Sequence, residues 1–284
     1  HCQLLMQQKM TGPIGVFDSG YGGLTVLKEI TAKLPQYDFI YLGDNARAPY
    51  GTRSFETIYQ YTLACISQLF EMGCPLVIIA CNTSSARALR TIQQKDLPKL
   101  FPDKRVLGII RPTAEIIADY TKTNTVGILG TNGTIASESY VLEINRFHPH
   151  INVIQHACPM WVPLIENNTY LNEGAKYFIQ QDIEALLKKS DKIDTILLAC
   201  THYPLLMPII RELTPKHINI LPQGPIVAES LVDYLNRHPE MESRCVKNTH
   251  IEFYTTDDVE NFNQHATAFY GQAIHSKHLE IKSL

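Results

Sequence analysis

Long hydrophobic runs are absent from the 284-residue chain, and none approaches the roughly 18 residues that a membrane-spanning helix needs. Basic residues are not in excess either, because the chain has 25 Lys and Arg residues and 28 Asp and Glu residues. Proteins that bind nucleic acid usually carry a basic surface, so this balance argues against such a partner. The two absences together predict a globular protein with no membrane and no nucleic acid as its partner.

Closely spaced metal-binding and disulfide patterns are also missing. The seven cysteines are an odd number without a disulfide-scaffold pattern, which indicates free thiols in a reducing compartment. No Cys-x-x-Cys or His-x-x-x-His pair occurs, although such pairs are typical of zinc sites. The first dozen residues lack the order of charged, apolar and small residues of a signal peptide, and Met10 is a candidate natural start. We therefore expect a cytoplasmic protein.

Strand-like and helix-like segments alternate along almost the whole chain. The predicted strands are Ile14–Phe17, Phe39–Leu42, Leu76–Ala80, Val106–Ile110, Thr125–Leu129, Val153–Gln155, Thr195–Ala199 and Ile251–Tyr254. Apolar residues at helical spacing predict helices after most of these strands, including Phe55–Phe70, Ser84–Gln94, Ser137–Phe147, Ile226–Asn236 and Val259–Tyr270. This order is typical of α/β proteins with parallel sheets that carry helices on both faces.

Two landmarks recur in the second half of the chain. "IGVFDSG" at Ile14 resembles "VGILGTNG" at Val126, and "LVIIACNT" at Leu76 resembles "TILLACTH" at Thr195, with similar separations. The pattern indicates a degenerate duplication. We expect an α/β fold of two pseudo-symmetric domains, each a mainly parallel sheet flanked by helices, with the active site in the cleft between them.

A cysteine follows a buried strand in each half of the chain. Cys81 comes after the third strand, and Cys200 comes after the corresponding strand of the second half. Because ligands of parallel sheets bind beyond the carboxyl ends of the strands, the two thiols are expected to face one ligand from opposite sides. Inversion of a carbon centre by proton transfer needs a base on one face and an acid on the other. A thiolate and a thiol can serve both roles, because a free cysteine has a pKa of about 8.5.

Other polar residues at the strand ends suit the same chemistry. Asp18 and His202 are candidate assistants of the two thiols, since each lies at a strand end near a cysteine. Hydroxyl groups are available to stabilise the carboxylate of a developing carbanion. These candidates are Ser19, Thr83, Thr131, Thr134 and Thr201. Four further cysteines have no such polar residues beside them, and we interpret them as buried core residues. They are Cys65, Cys74, Cys158 and Cys245.

Six ordered motifs carry a resemblance to a known family. They are "VFDSGYGGLTVL", "YLGDNARAPYG", "ACNTSSA", "LGTNGTI", "VPLIE" and "ACTHYPLL", which run from about Ile14 to Leu206. Together they resemble glutamate racemase, of the aspartate/glutamate racemase superfamily. The resemblance implies an isomerase that needs no cofactor and no metal, acts on glutamate, forms homodimers and supplies D-glutamate for peptidoglycan. It also implies that the second domain is inserted in the first, with domains at 11–110 plus 224–284 and at 111–223.

The resemblance assigns roles to individual residues. Cys81 would deprotonate D-glutamate and Cys200 would deprotonate L-glutamate, while Asp18, Glu166 and His202 would assist proton transfer. The residues that would hold the carboxylates and amine of the substrate are Ser19, Tyr50, Gly51, Asn82, Thr83, Thr131, Thr134 and Thr201.

The chain departs from the family pattern at three places. Ala199 stands where the family usually has Gly, and Ser84 stands where it usually has Ala. Near the end of the second domain the family often carries an Asp-Ser pair before a helix, whereas this chain reads "LPQGPIVAES" near Gln223. Three alternatives stay open at this point: a racemase of aspartate or a related acid, a zinc hydrolase using Cys81, Cys200 and His202, and a non-catalytic protein that closes on an anionic ligand.

Overall fold

The computed structural model describes residues 10–282, and its strands form two sheets of six and four strands. All strand pairings between named strands are parallel. The strands are β1 Ile14–Asp18, β2 Phe39–Gly43, β3 Leu76–Ile79, β4 Arg105–Leu107, β5 Thr125–Gly130, β6 Asn152–Ala157, β7 Thr195–Ala199, β8 Asn219–Pro222, β9 Ile251–Thr255 and β10 Ser276–His278.

Helices connect the strands and cover both faces of the sheets. The longer helices are α1 Leu24–Lys33, α2 Phe55–Glu71, α8 Ser139–Phe147, α10 Glu173–Leu187, α12 Gly224–Arg237 and α14 Val259–Tyr270. The shorter helices are α3 Asn82–Arg87, α4 Leu89–Thr91, α5 Leu97–Leu100, α6 Ile110–Ile116, α7 Asn132–Ala136, α9 Trp161–Glu166, α11 Met207–Leu213 and α13 Pro239–Glu242. Among residues 10–282, no helix is both long and apolar enough to cross a membrane.

The order of strands shows the duplication directly. The first sheet has the order β10-β9-β2-β1-β3-β4, and the second has the order β6-β5-β7-β8. The block β2-β1-β3-β4 therefore matches β6-β5-β7-β8 strand for strand, with β9 and β10 added at one edge of the first sheet. This arrangement confirms the predicted α/β fold with two parallel sheets, and it makes β3 and β7 equivalent.

Local sequence explains why these elements form. Every residue of β1, β3, β5 and β7 is buried, which matches their continuous apolar runs and the helices on both faces of a parallel sheet. Side chains cap several helices by accepting a hydrogen bond from a backbone N–H in the first turn. Ser54 caps α2 in this way at 3.2 Å, and Asp258 caps α14 at 2.8 Å.

The structure corrects several sequence-based boundaries. The fourth strand, expected to reach Ile110, ends at Leu107, and α6 already begins at Ile110. The helix expected over Ser84–Gln94 is broken into α3, α4 and a π-helical stretch at Ile92–Asp96. Strands β8 and β10 were not predicted, because β8 is short and ends in a proline and β10 is a three-residue, largely exposed edge strand.

The chain crosses between the sheets twice. The first sheet draws its strands from residues 14–107 and 251–278, and the second draws its strands from residues 125–222. The expected domain boundaries near Ile110 and Gly224 lie between these ranges, at the starts of α6 and α12. The exact division of the chain into 11–110 plus 224–284 and 111–223 stays a prediction.

Candidate active site

A pocket lies between the two sheets, beyond the carboxyl ends of their strands. It encloses about 670 Å³ of empty space, a volume that includes its open mouth. Eleven of the sequence-predicted site residues line it. They are Ser19, Tyr50, Gly51, Cys81, Asn82, Thr83, Thr131, Glu166, Cys200, Thr201 and His202. The duplicated fold thus brings residues more than 180 positions apart into one cleft.

Cys81 lies at the junction of β3 and α3. It is the N-cap residue of α3, and its Sγ accepts a hydrogen bond from the backbone N–H of Ser84 at 3.4 Å. Sγ also lies 3.6 Å from Oγ of Ser19, which belongs to the loop after β1. Because β1 and β3 are neighbours in the sheet, the two loops meet at the pocket wall.

Cys200 occupies the equivalent place after β7, next to a histidine–carboxylate pair. Its Sγ lies 4.0 Å from Nδ1 of His202. The other ring nitrogen of His202 lies 2.8 Å from Oε1 of Glu166, at the end of α9. The imidazole therefore bridges a carboxylate and a sulfur, as is needed for a group that stabilises charge on that sulfur.

Asp18 lies beneath the pocket and does not line it. Its carboxylate accepts hydrogen bonds from the Gly20 backbone N–H at 3.0 Å and from the Thr201 hydroxyl at 3.5 Å. Thr25 also donates its hydroxyl to the carbonyl of Thr201 at 2.9 Å. The end of β1 and the start of α1 are thus both joined to Thr201, the residue after Cys200, by side-chain hydrogen bonds.

Burial and neighbouring charges shift the pKa values of three groups in the site. Burial, and then the negative charge of Asp18, raise the pKa of the Cys81 thiol to about 11. Burial lowers the pKa of His202, but the hydrogen bonds and charges of Cys200 and Glu166 outweigh it and raise the pKa to about 10. Burial raises the pKa of Asp18, against the lowering effect of His202. His202 is therefore a cation and Cys81 a thiol near neutral pH.

Threonine hydroxyls form a second polar wall. Thr131 caps α7, and its Oγ1 lies 3.1 Å from Oγ1 of Thr83 and 3.2 Å from Oγ1 of Thr134. Thr134 is fully buried and does not line the pocket, so its hydroxyl contacts the pocket residue Thr131 and not a ligand. Gly51 joins this wall, because its carbonyl accepts a hydrogen bond from the Gly133 N–H at 3.0 Å.

Tyr50 is held in place by a buried carboxylate. Its hydroxyl donates to Oδ2 of Asp44, and Nε of Arg47 donates to the same oxygen at 2.7 Å. Thr256 donates to the other carboxylate oxygen at 2.8 Å. Asp44 is fully buried, so this network fixes the loop that carries Tyr50 and Gly51 into the pocket.

Sequence reasoning did not assign several residues of the pocket wall. They are Pro49, Thr52, Asn132, Cys158, Pro159, Val162 and Pro163. Cys158, interpreted from sequence as a core residue, is buried and also lines the pocket. The position of Cys158 directly after β6, in a Cys-Pro pair, is the only sequence signal that could have indicated this, since β6 is the neighbour of β5.

Within residues 10–282, no group of three or more His, Cys, Asp or Glu residues is placed to hold a metal ion. The six cysteines of this part of the chain are all free and buried, and Cys2 lies outside it.

The pKa of Cys81 gives a testable pH dependence. Only the thiolate reacts with iodoacetamide, and its fraction rises about tenfold per pH unit below the pKa. We expect the alkylation rate of Cys81, followed by peptide mass spectrometry, to rise about tenfold per pH unit between pH 7 and 9. Because Asp18 raises this pKa, Asp18→Asn should increase the rate at pH 8. A rate that levels off near pH 7.5 would contradict a raised pKa.

Gly22, in the loop after β1, leaves no room for a side chain beside the segment that follows Cys200. A Cβ at this position would lie 2.2 Å from Oγ1 of Thr201 and 2.5 Å from Nδ1 of His202. We expect Gly22→Ala to displace both side chains, to cost about 1–3 kcal/mol of stability and to lower activity about 10- to 100-fold. Thermal unfolding and steady-state kinetics would measure both effects.

The matched control is Gly174→Ala in α10, where the added Cβ meets only ordinary contact with Asn172 at 3.4 Å. This variant should keep full activity, because Gly174 does not line the pocket and the added Cβ meets no close contact. Equal activity of the Gly22→Ala and Gly174→Ala variants would show that activity does not depend on the close packing of Gly22 against His202.

Together, the fold and the pocket define an α/β protein with a polar cleft, lined by thiols, between two similar halves. Comparisons with known proteins agree with this description. The family model of the Asp/Glu/Hydantoin racemases matches residues 14–229. A glutamate racemase of Streptococcus suis is 37% identical over 270 residues, which cover 95% of this chain and 98% of the relative. One from Enterococcus faecalis is 40% identical over 261 residues, covering 91% and 92% of the two chains.

Solved structures show the same similarity. A glutamate racemase isoform of Bacillus anthracis superposes with a TM-score of 0.86 at 31% identity, covering 95% of this chain and 98% of that one. The glutamate racemase of Francisella tularensis in complex with D-glutamate gives a TM-score of 0.82 at 31% identity, covering 96% and 98%. The chain belongs to the Asp/Glu/Hydantoin racemase family and is an amino-acid racemase, an isomerase. The sequence-based resemblance to glutamate racemase is thereby confirmed.

Proposed function

We propose that this enzyme interconverts L- and D-glutamate by a two-cysteine acid/base mechanism without a cofactor. The observation that carries the proposal is the equivalence of Cys81 and Cys200. They follow matching strands of the two sheets, and both line the same pocket. A planar carbanion between two such thiols can be protonated from either face.

In the direction from L to D, the Cys200 thiolate removes the α-hydrogen as a proton. The electron pair left on the α-carbon is delocalised into the carboxylate, and the Cys81 thiol then donates its proton to the opposite face. After release of D-glutamate, Cys200 is a thiol and Cys81 a thiolate, and proton exchange with solvent restores the starting state. The reverse reaction begins from this second state, so Cys81 deprotonates D-glutamate.

The neighbouring groups fit these roles. The His202 cation, fixed by Glu166 at 2.8 Å, stabilises negative charge on the Cys200 sulfur. Ser19, which lies 3.6 Å from Cys81 Sγ, can do the same for Cys81 by donating its hydroxyl. Asp18 is a positioning residue in this mechanism, because it contacts Thr201 and Gly20 and does not line the pocket.

Substrate binding is assigned to the polar walls of the pocket. Hydroxyl and amide donors suit two carboxylates, and backbone carbonyls suit the ammonium group. The assigned side chains are Ser19, Asn82, Thr83, Thr131 and Thr201, with Thr134 supporting Thr131 from behind. Tyr50 and Gly51 are assigned through their backbone groups, because the Tyr50 hydroxyl already donates to Asp44.

The wider role is part of the same proposal. The enzyme would supply D-glutamate for peptidoglycan in the cytoplasm and act as a homodimer. Free thiols throughout the described residues are compatible with a reducing compartment.

The substrate is tested by circular dichroism of the purified enzyme after treatment with a chelator. L-glutamate should lose its signal completely, because enantiomers have equal free energy and the equilibrium constant is one. L-aspartate in parallel should keep its signal. Loss of signal for aspartate alone would favour the aspartate alternative. Activity that depends on added zinc would favour the zinc hydrolase alternative. Binding of glutamate without any loss of its circular dichroism signal would favour the non-catalytic alternative.

A further inference from the structure

Four buried side chains form a hydrogen-bonded cluster behind the pocket wall. Asn82 donates from Nδ2 to Oε1 of Gln223 at 2.7 Å, and the Tyr140 hydroxyl donates to Oδ1 of Asn82. Gln223 donates from Nε2 to the Tyr140 oxygen and, at 3.2 Å, to Oγ1 of Thr113. Each of these residues is less than 5% exposed, so none of the bonds competes with bulk water.

The cluster joins parts of the chain that are far apart in sequence. Asn82 begins α3 directly after Cys81, and Tyr140 lies in α8 of the second half. Thr113 lies in α6, where the chain leaves the first sheet, and Gln223 lies just before α12, where the chain returns. Gln223 also lies in the segment "LPQGPIVAES", where the sequence lacks the expected Asp-Ser pair.

The direction of the hydrogen bonds is fixed from one end. Thr113 donates its hydroxyl hydrogen to the carbonyl of Ile109 at 2.9 Å, so its oxygen can only accept from Gln223. The Gln223 atom that faces Thr113 must therefore be nitrogen, and the atom that faces Asn82 must be oxygen. Asn82 in turn must present nitrogen to Gln223 and oxygen to Tyr140, which fixes the orientation of its amide.

This orientation leaves a donor for the pocket. An asparagine Nδ2 carries two hydrogens, and one of them is used by Gln223. Asn82 lines the pocket, whereas Thr113, Tyr140 and Gln223 do not. We propose that Thr113, Tyr140 and Gln223 are positioning residues that fix the Asn82 amide so that its remaining N–H holds a carboxylate of the substrate. This inference rests on the proposed glutamate racemase function.

The test compares two substitutions of Thr113 that differ in the hydroxyl group. Thr113→Val keeps the shape but removes the acceptor that sets the direction of the cluster, so we expect KM for glutamate to rise about tenfold with a smaller change in kcat. Thr113→Ser keeps the hydroxyl and should return KM to within about threefold of the wild type. Tyr140→Phe, which removes only the hydroxyl that holds Oδ1 of Asn82, should resemble Thr113→Val.

A double-substitution cycle separates positioning from general stability. Asn82→Ala removes the amide on which the cluster acts, so adding Tyr140→Phe to it should raise KM no further. The control is Tyr37→Phe, which also removes one hydrogen-bonded hydroxyl, at 2.8 Å from Glu242 and outside the pocket. It should leave KM unchanged even where the unfolding temperature falls.

The possible failures are distinguishable. An active wild type whose Thr113→Val and Tyr140→Phe variants keep the wild-type KM would overturn the inference alone. Additive effects of Asn82→Ala and Tyr140→Phe on KM would do the same, because they would make Tyr140 independent of Asn82. A wild type without activity on glutamate would overturn the proposed function, and this inference with it.

Discussion

Cys81→Ser and Cys200→Ser are each expected to lose at least about 1,000-fold in the rate of glutamate racemisation while the fold survives. Serine fits the space of cysteine, but its hydroxyl is far less acidic than a thiol and does not form an anion near neutral pH. Each variant thus keeps one working proton carrier and lacks the carrier for the opposite face. Circular dichroism of the substrate measures racemisation, and far-UV circular dichroism of the protein checks the fold.

The remaining thiol makes the prediction specific to one face of the substrate. Cys81→Ser should exchange the α-hydrogen of L-glutamate with solvent, and Cys200→Ser should exchange that of D-glutamate, without inversion in either case. The control is Cys158→Ala, which removes the third thiol that lines the pocket. Its activity should fall less than tenfold. Full activity of either serine variant would refute the two-thiol mechanism, and a large loss in Cys158→Ala would point to a third proton carrier.

His202→Asn should lower kcat about 100-fold or more, the second largest effect expected of a single substitution. The wild-type imidazole has a pKa of about 10 and is therefore charged near neutral pH, beside the sulfur of Cys200. Asparagine can donate a hydrogen bond but carries no charge. The variant therefore loses the cation that stabilises the Cys200 thiolate. Steady-state kinetics should be measured from both enantiomers.

The equilibrium constant of the reaction limits how the kinetic constants of the two enantiomers can differ. Because the equilibrium constant of racemisation is one, kcat/KM must be the same from L-glutamate and from D-glutamate in every variant. His202→Asn can change the two kcat values unequally, but only if the KM values change in proportion. Unequal kcat/KM values would indicate an assay error or a side reaction.

The matched control for His202 is a second histidine–carboxylate pair, which is partly buried. Nε2 of His156 lies 2.8 Å from Asp182, the same distance as between His202 and Glu166, but neither residue lines the pocket. His156→Asn should therefore lower stability without lowering kcat. A loss of kcat in His156→Asn similar to that in His202→Asn would show that the effect reports folding and not charge at Cys200.

The fold was predictable because its signals are local. Strands β1, β3, β5 and β7 are continuous apolar runs, and each is followed by a polar or small residue at a strand end. The repeated order of these signals also revealed the duplication. Strand β10 was missed, since a short and exposed edge strand gains its structure from pairing with β9 and carries no hydrophobic pattern of its own.

The site was predictable where chemistry and strand ends coincide. Cys81, Cys200 and His202 are polar or reactive groups that lie within three residues of the ends of buried strands, where ligands of parallel sheets bind. Asp18 and Thr134 were also expected to act in the site, and the structure places them behind the pocket wall. Sequence alone does not distinguish a residue that touches the pocket from one that supports a residue that does.

The cluster behind Asn82 could not be predicted from sequence. Gln223 and Tyr140 are ordinary polar and aromatic residues, and neither is close in sequence to the motif around Cys81. Their contacts exist only because α3, α6, α8 and the start of α12 converge behind the pocket. Hydrogen bonds between distant segments have no periodicity that a sequence reveals.

The central claim is that two different thiols act on opposite faces of one carbon. The most direct test is racemisation of L-glutamate by the purified enzyme in D₂O, stopped at early times, with both enantiomers separated and analysed by mass spectrometry. Two thiols predict that newly formed D-glutamate carries α-deuterium from the start, while the remaining L-glutamate stays mostly unlabelled. D-glutamate that retains the original α-hydrogen would contradict the account, because it would mean that a single group carries the proton across both faces.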